Sequence, residues 1–143
     1  MADLIYNFFK GEIMNGGVDL DTDTIKVALV TSGYTPNQDT HEDFADVTNE
    51  VSGTGYTAGG AALANKSVSV DNTDNTGVFD ADDVTWAAST ITARGAVVYK
   101  DTGVAATSTL VCYLDFGTDQ SSSSGDFTIQ WNADGILTLG DAV

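Results

Sequence analysis

The sequence predicts a mainly-β domain, an antiparallel sandwich or small barrel with one N-terminal α-helix, and three observations carry that expectation. Eighteen of the twenty-one acidic residues are aspartate, which competes with the backbone for hydrogen bonds and therefore prefers caps and turns to helix interiors. Nineteen Thr and fifteen Gly extend the same bias toward strands and turns. From Ala61 onward, short apolar runs alternate with clusters of Asp, Asn, Ser, Thr and Gly, the spacing expected of a sandwich or barrel. At 143 residues, 42% hydrophobic and 18% charged, residues 1–143 are expected to form one domain with a real core.

The elements follow in order. Residues 3–15 read as the one helix. Asp3 is placed to cap it, Leu4, Ile5, Phe8, Phe9 and Ile13 fall at helical spacing, and Gly16-Gly17 ends it. This apolar stripe needs a cover, either the protein's own sheet or a neighbouring subunit. The β-rich body spans 24–139. Its first strand, 24–31 (TIKVALVT), is apolar on both faces, as a central strand is. A long loop, 32–60, holds the only Pro36 and the only His41, with a short helix expected near 41–47. Phe44, Val47, Val51 and Tyr56 are the side chains that would pack it.

Further strands are expected at 63–70, 78–79, 84–88, 91–100, 110–116, 127–131 and 136–139, with turns at 71–77, 101–103, 118–125 and 132–135. Leu110, Cys112, Leu114 and Phe116 alternate onto one face, and Phe127, Ile129 and Trp131 onto another. Trp86 and Trp131 lie inside strand patterns and read as core.

Charge excludes whole classes of function. The formal net charge is −16, with four Lys and Arg94 as the only strong cations. That is too few to neutralise phosphates, so no nucleic acid partner and no anionic membrane partner is expected. No segment approaches a membrane span, and MADLIYNFFKGE lacks the basic start of a signal peptide. The single Cys112 rules out an internal disulfide and suits synthesis in a reducing compartment.

The chemistry-bearing residues do not assemble into a motif, and no enzyme activity is expected. His41 stands in THEDF with no G-x-S-x-G elbow to serve. Cys112 reads as a small buried hydrophobe. Residues 53–60 (GTGYTAGG) imitate a dinucleotide loop, but no strand precedes them and the glycine spacing is wrong, so a flexible or tightly turning loop is the reading. No cofactor is expected. A Ca²⁺ ion would find oxygen ligands only in Asp19-Leu20-Asp21-Thr22-Asp23 or Asp80-Ala81-Asp82-Asp83, and neither fits an EF-hand. No pair of carboxylates is isolated in the way a glycosidase requires.

Residues 24–47 (TIKVALVTSGYTPNQDTHEDFADV), 50–68 (EVSGTGYTAGGAALANKSV), 79–101 (FDADDVTWAASTITARGAVVYKD) and 125–139 (GDFTIQWNADGILTL) resemble a family of small virion proteins of tailed bacteriophages. The resemblance covers nearly the whole chain. It implies a protein of the decoration or cement type, made in the bacterial cytoplasm and placed on the capsid surface. The implied partner is the major capsid protein, bound by a symmetric oligomer that bridges capsomers. The candidate anchors are Leu4, Ile5, Phe8, Phe9 and Ile13 together with the loop aromatics Tyr34 and Tyr56. The competing expectation is a tail or receptor-binding component that recognises host-surface carbohydrate through exposed Tyr, Trp and Asp.

Overall fold

A computed structural model describes residues 2–142; Met1 and Val143, the ends of the expected 1–143 domain, lie outside them. The chain runs β1 (Leu4–Ile5), α1 (Asn7–Asn15), β2 (Ile25–Val30), β3 (Ala61–Ala62), β4 (Ser67–Asp71), β5 (Thr76–Asp80), β6 (Val84–Ser89), β7 (Thr92–Lys100), β8 (Leu110–Ser121), β9 (Gly125–Ile129) and β10 (Leu137–Leu139). The fold is mainly β and antiparallel, a sandwich-like arrangement with one helix near the N-terminus. Its main sheet has the order β1-β8-β7-β2-β3, and two smaller sheets have the orders β10-β5-β4 and β6-β9.

The main sheet is buried on both faces, for the reason legible in TIKVALVT. One face of β2 carries Ile25, Val27 and Leu29. It packs with Ala96 and Val98 of β7 against Trp86 of β6, Phe127 and Ile129 of β9, Phe79 of β5 and Phe9 of α1. The other face carries Ala28 and Val30, which pack with Val97, Tyr99, Leu110 and Tyr113 against Tyr6 and Tyr34. Among the described residues no sheet covers that second face; the long loop 32–60 supplies Tyr34, Phe44 and Val47 to it. Phe44 stacks on Tyr99 at a centroid distance of 4.1 Å, so the loop packs by its own side chains as expected. The Tyr6 and Tyr34 hydroxyls lie 2.9 Å apart, and the Tyr34 hydroxyl lies 2.9 Å from His41 Nδ1. Burial raises the pKa of both phenols, which therefore stay neutral.

Several boundaries differ from the expectation, each with a physical cause. The helix is Asn7–Asn15 and does not begin at residue 3, because Leu4 and Ile5 pair with Tyr113 and Cys112 at the edge of β8. Asp3 is consequently no N-cap; its carboxylate accepts the Asp115 backbone N–H at 2.7 Å. The other end is as read: Gly16 adopts φ +78° and the Gly17 N–H closes on the Glu12 carbonyl at 2.8 Å. The expected helix at 41–47 is only a 3₁₀ turn, Phe44–Asp46, closed by the Asp43 and Asp46 carboxylates. Of the expected strand 63–70 only residues 67–70 pair, as part of β4; residues 63–66 form no strand, the buried Leu63 following directly on β3.

The alternation expected for Leu110, Cys112, Leu114 and Phe116 is broken by a bulge. Val98 opposes Cys112 while Tyr99 opposes Leu110, leaving Val111 extra. Leu110 and Cys112 therefore enter opposite cores, and the Val111 carbonyl accepts the Tyr6 N–H. The expected turn 118–125 is also shorter, since β8 continues to Ser121 beyond an irregularity containing Gly117 at φ +80°. Phe127 and Ile129 share the core face as read, and the half-buried Trp131 packs beside them with Nε1 donating to the Asp82 carbonyl at 2.8 Å.

Candidate functional site

The three-stranded sheet is amphipathic by register. Val68 opposes Phe79 and Phe79 opposes Leu137; Val70 opposes Gly77 and Gly77 opposes Leu139. These six residues share one face, and Ser67, Ser69, Val78, Asp80 and Thr138 lie on the other. A strand that alternates Val-Ser-Val in this way requires its valine face to be covered. Coverage is incomplete. Phe79 is buried in the core, but Val70 is 76% exposed and Leu139 is 70% exposed.

Helix α1 lies across from this face, and between them runs an open cleft of about 630 Å³. Ile5, Phe9 and Ile13 form one wall, Phe79, Leu137 and Leu139 the other, and Val18 and Leu20 contribute from the following loop. Met14, also on the cleft, is 87% exposed. Among the described residues, Lys10 and Asp19 are the only charged side chains that line it. Chemically the cleft offers dispersion contact and apolar burial, with almost no hydrogen-bonding function.

The residues singled out in the sequence divide sharply across this geometry. Ile5, Phe9 and Ile13 belong to the cleft wall and the core behind it. Leu4 packs half-buried against the opposite core, beside Tyr6 and Tyr34. Phe8 alone of the expected stripe faces outward, at 37% exposure. The stripe is thus not one docking face, because the first two of its residues belong to a strand. Tyr34 is buried and Tyr56 half-buried, so neither loop aromatic is a surface anchor. The Tyr56 hydroxyl donates to Glu50 Oε1 at 2.7 Å and accepts the Leu29 N–H at 3.0 Å. Residues that the sequence reading missed are Val68, Val70, Gly77, Leu139 and Met14. The alternation of Ser67–Val70 was visible in the run 63–70; the absence of a cover over it was not.

Most of the remaining chemistry-bearing groups are engaged structurally, with the buried Asp80 Oδ1 an exception that has no hydrogen-bond partner among the described residues. Cys112 is buried, and desolvation pushes its thiol up to about 12, with Asp3 adding to the rise, far from a reactive thiolate. In the first aspartate run, Asp19 Oδ1 accepts the Asp21 and Thr22 N–H groups, and Asp23 Oδ2 accepts the Asp19 N–H and pairs with Lys100 at 3.0 Å. In the second, Asp82 accepts from Asn65 and Asp83 from the Trp131 N–H. Among the described residues no group of three or more His, Cys, Asp or Glu converges as a metal site would require. Of the two loop readings for the glycine-rich stretch 53–60, the structure has the tightly turning one: Gly53, Gly55, Gly59 and Gly60 all have positive φ. Its Gly59 N–H donates to Glu50 Oε1 and its Gly59 carbonyl accepts the Tyr99 hydroxyl. Among the described residues no helix is long and apolar enough to cross a membrane.

The carboxylates also set an acid limit on stability. The Lys26 ammonium, 2.8 Å away, followed by the Gly103 N–H, holds Asp101 below the usual carboxylate range. The Glu42 N–H does the same for Asp46. A carboxyl with a depressed folded pKa binds fewer protons folded than unfolded. Its stabilisation is therefore complete above the unfolded value of about 4 and is lost as pH falls through the folded value. Asp43 acts in the opposite sense, raised first by burial and then by Asp46 and Glu42. Thermal melts of wild type and Lys26→Met should differ most above about pH 4.5 and converge near about pH 2. A gap independent of pH would refute the Lys26–Asp101 assignment.

No protein-family model, no curated protein and no solved structure matches this chain.

Proposed function

We propose that the protein is a structural component of a bacteriophage particle, a capsid decoration protein that binds the outer surface of the head and bridges neighbouring capsomers. The observation that carries this reading is the uncovered apolar face of β10-β5-β4 beside the α1 cleft. An exposed patch of this kind, on a protein otherwise kept soluble by its charge, is the mark of a surface awaiting a protein partner. The major capsid protein is the partner proposed, in line with the sequence resemblance. The net charge of −16 supports the reading in two ways. It keeps free copies dispersed before assembly, and it repels packaged nucleic acid while favouring a basic protein surface.

In this reading the protein acts by binding, without a catalytic step, and is made in the host cytoplasm before joining the virion. The test uses heads of the encoding phage that lack the protein, incubated with the purified chain. The expected result is saturable co-sedimentation and a shell that resists heat disruption better than undecorated heads. Binding to host glycans with none to heads would overturn it in favour of the tail or receptor-binding alternative.

A further inference from the structure

The row Leu139–Gly77–Val70 crosses the three-stranded sheet with a gap at its centre. Two large exposed side chains flank a residue with none, and a Cβ built on Gly77 would meet nothing within 4 Å. Backbone strain does not demand glycine there, since Gly77 is not among the residues with positive φ. The bare backbone therefore forms the floor of an apolar notch one side chain wide. Alongside it, β4 is an edge strand of this sheet, with Ser67, Val68, Ser69 and Val70 all exposed. An edge of this kind is a template for one more strand.

The surroundings of the notch select what occupies it. Asp71 follows Val70 directly, Asp74 sits in the β4–β5 turn, Asp141 lies two residues beyond Leu139, and Asp19 lines the cleft. The Thr22 hydroxyl and backbone N–H groups hold Asp19 below the usual carboxylate range, so it remains ionised. Lys10 and Lys66 are the nearby cations in the chain, one on α1 and one just before β4. A second copy of this chain is a poor occupant, because it brings a further −16 of charge to a face already bordered by carboxylates.

We propose that an extended, cation-flanked apolar segment of the shell protein lies along β4 and places one apolar side chain in the Val70–Gly77–Leu139 notch. This rests on the decoration reading and specifies its contact. Strand addition would satisfy the free edge of β4, and Lys or Arg at the segment's flanks would face Asp71, Asp74 and Asp141.

The experiment measures binding of wild type, Val70→Asp and Gly77→Val to heads lacking the protein, with the solution mass of each protein from light scattering. Gly77→Val is the sharper variant: it fills the notch, keeps the surface apolar and should melt no lower than wild type, because valine suits a strand better than glycine. Each substitution is expected to weaken head binding at least about ten-fold, and added salt should weaken wild-type binding. Heads that bind all three proteins equally would overturn the notch while leaving the decoration reading intact. Failure of the wild type to bind heads would overturn both. A wild-type dimer that Val70→Asp dissociates would show that a second copy covers this face, and would also overturn the proposal.

Discussion

Alanine at Phe9 is expected to destabilise the fold by about 3–5 kcal/mol, whereas alanine at Phe8, one residue earlier, should cost less than about 1 kcal/mol. The two phenylalanines are adjacent in sequence and opposite in role. Phe9 is 3% exposed and joins the core that holds Ile25, Val27 and Leu29 of the central strand together with Phe79 of the small sheet. Removing its ring takes contact from the main sheet and the cleft wall at once, and the rigid strands on either side limit how far the space can collapse. Phe8 projects from the outer side of α1, where truncation removes little buried area. Urea denaturation of both variants decides the matter: equal losses would mean that α1 is rotated from the orientation described. The difference also governs how docking is probed. A Phe8/Phe9→Asp double variant would lose binding by unfolding, so Val70 and Gly77 are the positions that separate binding from stability.

Gly60→Ala is expected to cost about 3 kcal/mol or more, with a left-handed non-glycine conformation alone contributing about 1 kcal/mol. Gly60 has φ +77°, and a Cβ there would run into the Val27 carbonyl and the backbone of Ala28. Those atoms belong to the central strand and cannot yield without disturbing its pairing with Ala61 and Ala62. The strain would spread along the loop, whose Gly59 carbonyl accepts the Tyr99 hydroxyl and whose Gly59 N–H binds Glu50. Gly11→Ala provides the contrast. On α1 a Cβ at Gly11 meets nothing within 4 Å, and alanine there should stabilise by about 0.5–1 kcal/mol, since glycine is the poorer helix former. Thermal melts of the pair should therefore shift in opposite directions. A Gly60→Ala protein that melts with wild type would contradict the close approach of loop and strand.

The fold was legible where a single strand's composition determined its surroundings. Ile25–Val30 is apolar on both faces because two cores flank it, and Phe127 and Ile129 alternate because only one of their faces is buried. Legibility failed where tertiary pairing overrode local pattern. Leu4 and Ile5 fit a helical spacing with Phe8 and Phe9, but hydrogen bonding to the edge of β8 takes them as a strand, and nothing within residues 3–15 encodes that edge. The Val111 bulge was hidden for the same reason: Leu110, Cys112 and Leu114 alternate in sequence whether or not an extra residue is accommodated. The candidate site was the least legible part. Val68 and Val70 declared an apolar face, yet only the assembled sheet shows that Phe79 is buried in the core while Val70 and Leu139 stay bare. Tyr34 and Tyr56 illustrate the converse. Aromatics in a long loop suggested surface anchors, and both turned inward: Tyr34 joins the second core that the loop covers, and Tyr56 packs against the first, beside Trp86.

The aspartates are likewise clearer in three dimensions than in sequence. Asp19, Asp71 and Asp101 each accept backbone N–H groups two residues ahead, fixing the turns that connect the strands. Asp19 lines the cleft and Asp71 follows the exposed Val70 directly, so two of these turn-forming carboxylates also border the apolar face. On the proposed reading, the same side chains would serve both the local turn and the choice of partner.

Cryo-electron microscopy of the assembled particle tests the central claim most directly. The expected map has the chain at repeated positions on the head lattice, with Val70, Gly77 and Leu139 against the shell and the opposite side of the molecule toward solvent. Density for the chain on the tail, or on the head with the β10-β5-β4 face open to solvent, would contradict it.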